Sequence, residues 1–157
     1  MKLSIPEQNP AVMGLAPITT NAATVGDYIS MKNVISATII VSLTQAQAFA
    51  SAITLHQATT VAAAGKKAIA KTVPIFANED TAASDAVVRQ TSAVSYTVAA
   101  DATNKIVIFE VDAEKLDVDN SFDCLTVGID ASSEITNFAS VTYILRKRYP
   151  SQTAITD

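Results

Sequence analysis

The sequence predicts an all-β protein: a single antiparallel β-sandwich, jelly-roll-like, of about eight strands, preceded by an extended N-terminal arm. From Gly26 onward, short runs rich in Val, Ile, Thr, Phe and Tyr alternate with small polar clusters, a pattern typical of antiparallel sandwiches and barrels. The best helical candidates, within 44–50 and 78–86, are too short to be stable alone in water. A chain of 157 residues accommodates one domain, which can bury a sizeable core without disulfides or metals.

The first segment, residues 1–25, contains three prolines and no clean period of about 2 or 3.6 residues, so we expect an extended arm or irregular lead-in. Its apolar side chains would be unfavourable in water, which leaves two possibilities: the arm packs on its own domain or on a neighbouring subunit. The apolar residues of the arm, which are the candidate interface residues, are Ile5, Val12, Met13, Leu15 and Ile18.

The domain proper is predicted over residues 26–150, and residues 151–157 are expected to be a flexible tail. We expect strands at about 27–32, 35–43, 51–60, 71–77, 92–99, 104–112, 122–130 and 139–149. Residues 104–112 carry apolar side chains on both faces, which indicates a central strand. By contrast, Ile53 and Leu55 alternate with Thr54 and His56, which is typical of a strand with one wet face.

The surface composition favours contact with other subunits. Charged residues make up 17% of the chain, below the roughly 25% that is typical, so much of the surface must be Ala, Thr, Ser or aliphatic. The formal net charge of -4 argues against nucleic acid or an anionic membrane as partner. No run of about 18 apolar residues predicts a membrane helix, and no stretch resembles a signal peptide.

No catalytic, cofactor-binding or metal site is predicted, and we do not expect an enzyme. The single histidine, His56, lies in an alternating strand, and no Gly-flanked nucleophile motif occurs. The four glycines are scattered and form no phosphate-binding loop. Cys124, the single cysteine, lies in an apolar run and is expected to be a small buried hydrophobe.

Charged residues cluster in two places. Nine acidic residues lie between Asp101 and Glu134, and whether the loop 110–123 holds a cation stays open, because it lacks the turn glycine and bidentate Glu of an EF-hand. Near the end of the domain, alternation places Arg146 and Arg148 on one face. These arginines could pair with the acidic segment of an adjacent copy, pair within the chain, or block unwanted β-pairing at a sheet edge.

Several segments together resemble small virion structural proteins of tailed phages and prophages, of the capsid decoration or cement type. The resemblance covers roughly residues 26–150 and is most specific from Glu110 to Cys124. This sequence departs from the family pattern at Asn120-Ser121, where a more glycine-rich turn is expected. The segments are Gly26-Asp-Tyr-Ile-Ser-Met-Lys-Asn33, Leu55-His-Gln-Ala-Thr59, Phe109-Glu-Val-Asp-Ala-Glu-Lys-Leu-Asp-Val-Asp119, Phe122-Asp-Cys124, Tyr143-Ile-Leu and Arg148-Tyr-Pro150.

The resemblance implies a non-catalytic protein that coats or braces a capsid, assembled in the host cytoplasm. Its partners would be the major capsid protein or other virion subunits, and it would form a closed homo-oligomer, with a trimer favoured. Alternatives are another head–tail or tail subunit, a carbohydrate-binding β-sandwich, or a hydrolase that uses the acidic loop. Carbohydrate-binding modules usually present exposed aromatics, whereas this chain has no Trp and 6% aromatic residues.

Overall fold

A computed structural model describes residues 5–149. For Ile5 it describes the backbone only. The predicted tail, 151–157, lies outside the described residues. The described part is nearly all β and forms two antiparallel sheets, so the prediction of a sandwich-like all-β fold is confirmed. No helix within it is long and apolar enough to cross a bilayer.

Twelve strands are present within residues 5–149, not about eight. Two of the additional strands, Ala11–Thr19 and Thr24–Val25, lie in the predicted arm, and a third, Lys67–Ala68, is too short to show a period-2 pattern. The fourth arises because the predicted strand 92–99 is divided between Val88–Ala93 and Ser95–Thr97. The elements are α1 Ile5–Gln8, β1 Ala11–Thr19, β2 Thr24–Val25, β3 Ile29–Ser30, β4 Val34–Gln45, β5 Ala52–Ala58, β6 Lys67–Ala68, β7 Val73–Asn78, β8 Val88–Ala93, β9 Ser95–Thr97, β10 Asn104–Asp112, β11 Cys124–Ile129 and β12 Asn137–Lys147, with 3-10 turns at Ala113–Lys115 and Val118–Asn120.

The larger sheet, sheet A, has the strand order β1-β12-β4-β10-β7-β8. The second, sheet B, has the order β2-β11-β5-β6, with β3 also paired to β11 and β9 to β5. As the sequence predicts, β10 is central, because it lies between β4 and β7.

The core lies between the two sheets and consists of alternate side chains from each long strand. Sheet A contributes Ile39, Phe109 and Tyr143 from three neighbouring strands, and sheet B contributes Leu55 and Val127. All five are fully buried, and burial of each large apolar side chain contributes roughly 1.5–3 kcal/mol.

The predicted arm is, over residues 11–19, an edge strand of the domain. β1 pairs antiparallel with β12, and its register shifts between Met13 and Leu15 and again between Leu15 and Ile18. These irregularities interrupt the alternation of inward and outward side chains, which is why the sequence shows no clean period there. Of the two predicted forms, an extended arm or an irregular lead-in, residues 11–19 take the extended one.

Candidate interaction surface

The register of sheet A arranges the outward side chains in rows that cross the strands. Ile39, Phe109 and Tyr143 point into the core, so the residues next to them in sequence point outward. The central outward row is Met13, Thr142, Ile40, Ile108, Phe76 and Arg89, one residue from each of the six strands.

This central row is mostly apolar. Ile40, Ile108 and Phe76 are half-buried, and Met13 is 69% exposed at the edge. The Arg89 guanidinium lies 6.0 Å from the centre of the Phe76 ring, at the reach of a cation–π contact. None of the apolar residues in the row belongs to the core cluster or packs against it.

The neighbouring rows are also weakly charged. On one side lie Ala11, Ile144, Thr38 and Glu110, followed by Arg146, Ser36 and Asp112. On the other side lie Ser140, Ser42, Ile106 and Asn78, followed by Thr19, Phe138, Thr44 and Asn104. These five rows define the outer face of sheet A, whose two basic and two acidic side chains all lie away from its centre.

The apolar residues predicted as interface occupy different environments. Val12 and Leu15 are half-buried and pack against the core of their own domain. Met13 lies on the outer face of sheet A, and Ile18 is 44% exposed on the edge strand. The side chain of Ile5 lies outside the described residues. Two of the five residues therefore serve the domain itself.

Arg146 and Arg148 are both exposed but do not continue one alternating row. The register of β12 shifts between Arg146 and Lys147, so the side-chain order from sequence does not extend to Arg148. Arg146 lies in a row with Ser36 and Asp112 on the outer face of sheet A. Arg148 instead lines a hollow of about 280 Å³ together with residues that include Glu114 and Asp123 of its own chain.

The acidic segment is spread out in space. Within residues 5–149, no group of three or more His, Cys, Asp or Glu side chains is placed to hold a metal ion. Asp123 forms an ion pair with Lys32 at 3.1 Å. Asp117 accepts hydrogen bonds from Lys67 Nζ and from Asn120 Nδ2.

A cleft of about 380 Å³, which was not predicted from the sequence, lies between β6 and the 3-10 turns. Buried Gln57 accepts a hydrogen bond from the Asp117 amide at 2.8 Å, and the Lys67 ammonium lies 3.9 Å from the centre of the Phe122 ring. The hydrogen bond from Lys67 lowers the pKa of Asp117, which is opposite to the shift of a general acid that works near neutral pH. These contacts hold the turn against sheet B.

His56 is half-buried beside Gly128. Burial and the nearby Lys66 charge lower its pKa, and its Nδ1 atom has no hydrogen-bond partner among the described residues. A β carbon on Gly128 would lie 3.0 Å from His56 Cε1, so the glycine makes room for the ring. The ring thus packs on the backbone of the neighbouring strand.

Lys105 is buried, and its burial was not predicted. Its Nζ atom donates to Thr103 Oγ1 at 2.7 Å and lies 3.5 Å from Glu79 Oε2, while Tyr96 donates to the other carboxylate oxygen. Burial and the Glu79 carboxylate raise the pKa of Tyr96. The sequence contains a pattern that indicates this burial, because Lys105 alternates in phase with Val107, Phe109 and Val111, which point into the core.

Fold and surface together define a class: a two-sheet antiparallel β domain with a large, weakly charged outer sheet face. No family model matches the sequence, and no curated protein matches it. Among solved structures, the crystal structure of SPBc2 prophage-derived protein YomS is similar, with a TM-score of 0.50 and 9% sequence identity. The match covers 87% of this chain and 91% of that chain, and at this identity the likeness concerns the fold alone.

Proposed function

We propose that this chain is a non-catalytic structural subunit of a tailed-phage virion, which decorates and stabilises the capsid through subunit interfaces. Its partners are the major capsid protein or other virion subunits, and further copies of itself. It is assembled in the host cytoplasm and resides in the virion.

The observation that carries this proposal is the second apolar face of β10. A central strand with apolar residues on both faces normally has both faces covered. Val107, Phe109 and Val111 point into the core, whereas Ile106 and Ile108 lie on the outer face of sheet A. An apolar face of this kind is typical of a surface that another protein covers.

The topology supports the proposal. Without β7 and β8, which extend sheet A beyond β10, and without the short strands β3 and β9, sheet A has the order β1-β12-β4-β10 and sheet B the order β2-β11-β5-β6. Numbered from one to eight, these orders are 1-8-3-6 and 2-7-4-5, which agrees with a jelly roll, a fold that viral capsid domains share with lectins and cupins. The fold likeness to a prophage-derived protein agrees with a phage origin.

The test is made on purified particles. Mass spectrometry should detect the chain in virions, and added protein should bind to particles assembled without it. Such particles should release DNA at a lower temperature than complete ones, because decoration adds contacts between capsid subunits. A chain that is absent from particles and does not bind to them would refute the proposal.

A head–tail or tail position is the second candidate within the same class. Electron microscopy of particles carrying a labelled chain separates the two. Label spread over the head agrees with decoration, whereas label confined to the neck or tail would overturn the capsid role and leave a structural subunit.

A further inference from the structure

We propose that the outer face of sheet A packs against the same face of a second copy of this chain, about a two-fold axis that runs along β4. The inference deepens the proposed function, on which its biological role rests, by naming one subunit interface. It follows from the strand register and from the positions of four charges.

The centre of the interface is apolar. An axis along β4 places Ile40 of one copy against Ile40 of the other. Because the axis exchanges the strands on either side of β4, Thr142 on β12 faces Ile108 on β10 of the second copy. One strand further out, Met13 on β1 faces Phe76 on β7. Two sheets packed in this way lie about 10 Å apart, within reach of these side chains.

The same axis pairs opposite charges. Arg146, Ser36 and Asp112 form one row, with Ser36 on β4. Rotation about β4 therefore brings Arg146 of each copy against Asp112 of the other, so the contact occurs twice. Glu110, two residues before Asp112 on the same face, lies opposite Ile144 of the second copy, one row away from Arg146.

Three other two-fold axes in this face bring like charges together. An axis along β10 would stack Glu110 and Asp112 on their own copies, and an axis along β12 would stack Arg146 on Arg146. An axis along the central row, across the strands, would stack Arg89 on Arg89. Like charges in contact disfavour these three arrangements, whereas the axis along β4 joins opposite charges.

Arg89 provides a matched control. It lies on β8, three strands from β4, whereas β1 is only two strands from β4 on the other side and ends the sheet. With the axis along β4, Arg89 therefore extends past the edge of the second copy. This arrangement pairs two copies, and the trimer that the resemblance implies would need a further interface.

The experiment uses the full chain, with size-exclusion chromatography, light scattering and sedimentation velocity. The wild type should be a dimer. Arg146→Glu and Asp112→Arg should each raise the dimer dissociation constant by about tenfold or more, because each places like charges in contact. Asp112 makes no capping hydrogen bond through its side chain, so its replacement leaves the following turn intact. Arg89→Glu should dimerise like the wild type.

The decisive step mixes the two weakened variants. In a two-fold pair of one Arg146→Glu copy and one Asp112→Arg copy, both contacts again join opposite charges, so a heterodimer should form. Glu110→Arg mixed with Arg146→Glu repeats the test at the neighbouring acid. Circular dichroism checks that every variant is folded.

A monomeric wild type, single variants that dimerise like the wild type, or mixtures that form no heterodimer would each overturn the inference. Particle binding is measured separately. A monomer that still decorates particles refutes the dimer and leaves the proposed function standing, whereas a dimer that never binds particles refutes the proposed function alone.

Discussion

Tyr143 holds β1 on the domain through a close contact that only glycine permits. Its ring lies against Gly14, where a β carbon would come within 2.7 Å of Tyr143 Cζ, closer than carbon atoms approach. Its hydroxyl donates to the Asp27 carbonyl oxygen at 3.0 Å. Because the ring is fully buried, it has little room to move aside.

Gly14→Ala should therefore lower the free energy of unfolding by about 1–3 kcal/mol through overpacking. Urea denaturation measures this loss. Ala16→Ser, at an exposed position in the same strand, is the control and should change stability by less than about 0.5 kcal/mol. In a Tyr143→Leu background, Gly14→Ala should be less destabilising, and an equal loss there would show that the ring is not the cause.

Two buried groups predict a loss of stability in alkaline solution. Burial raises the pKa of the Cys124 thiol from 9.0 to about 12, and burial raises the pKa of Tyr143 from 10.0 to about 12. Between about pH 9 and about pH 12 these two groups ionise in the unfolded chain before they ionise in the folded chain, so the unfolded chain binds fewer protons. The free energy of unfolding therefore decreases as pH rises. The full contribution is present below about pH 9.

Thermal unfolding at a series of pH values measures this effect. Cys124→Ala should remove the part of the decline that begins near pH 9. Tyr143→Phe should reduce the part that begins near pH 10, and the remainder of that part belongs to Tyr28 and Tyr96, whose pKa values are also raised by burial. Parallel profiles for the wild type and both variants would contradict the assignment.

At the scale of elements, the sequence predicted the strands that are long and regular. Residues 104–112 form β10 with the predicted bounds, and β4, β5, β11 and β12 overlap their predictions closely. The expected strand 92–99 is instead split between β8 and β9, which belong to different sheets. Alternation reports which residues share a face, but it carries no information about a strand that changes sheet.

The surface was predictable only in part, for the same reason. The sequence shows apolar residues on both faces of 104–112, but it does not show which face the second sheet leaves uncovered, because that depends on how the neighbouring strands pair. The Arg146–Asp112 row joins β12 and β10 across β4, so it exists only in the paired sheet. The bulge before Lys147 separates Arg148 from that row.

Removal of β1 should destabilise the domain. Deletion of residues 2–20 removes Val12 and Leu15, which pack against the core, and exposes Tyr143, so we expect a loss of about 3 kcal/mol or more in the free energy of unfolding. Deletion of residues 2–8 leaves β1 and Pro10, whose carbonyl oxygen accepts a hydrogen bond from the Leu145 amide. This shorter deletion is the control, and equal stability of the two truncated proteins would contradict the role of β1.

At the scale of the whole molecule, the fold joins strands that are distant in sequence. β1 pairs with β12, and β12 pairs with β4, so both ends of the domain meet in sheet A. Non-local pairing of this kind cannot be inferred from local patterns, which is why the sequence predicted strands but not their order. It also places the two ends of the domain side by side, since Ala11 lies opposite Ile144.

The neighbouring ends allow a circular permutation that tests the topology. A short Gly/Ser linker should join the chain ends, with new termini between Ala86 and Val87, both exposed in the loop before β8. The permuted protein should keep the β-sheet circular dichroism spectrum and a single cooperative unfolding transition, because every strand pair survives. A permutation that opens the chain between Ile108 and Phe109 divides the central strand β10 and should not fold. The linker must be long enough to span the ends of β1 and β12. If the protein opened between Ala86 and Val87 then fails to fold, the two strands are not neighbours and the strand order of sheet A is wrong.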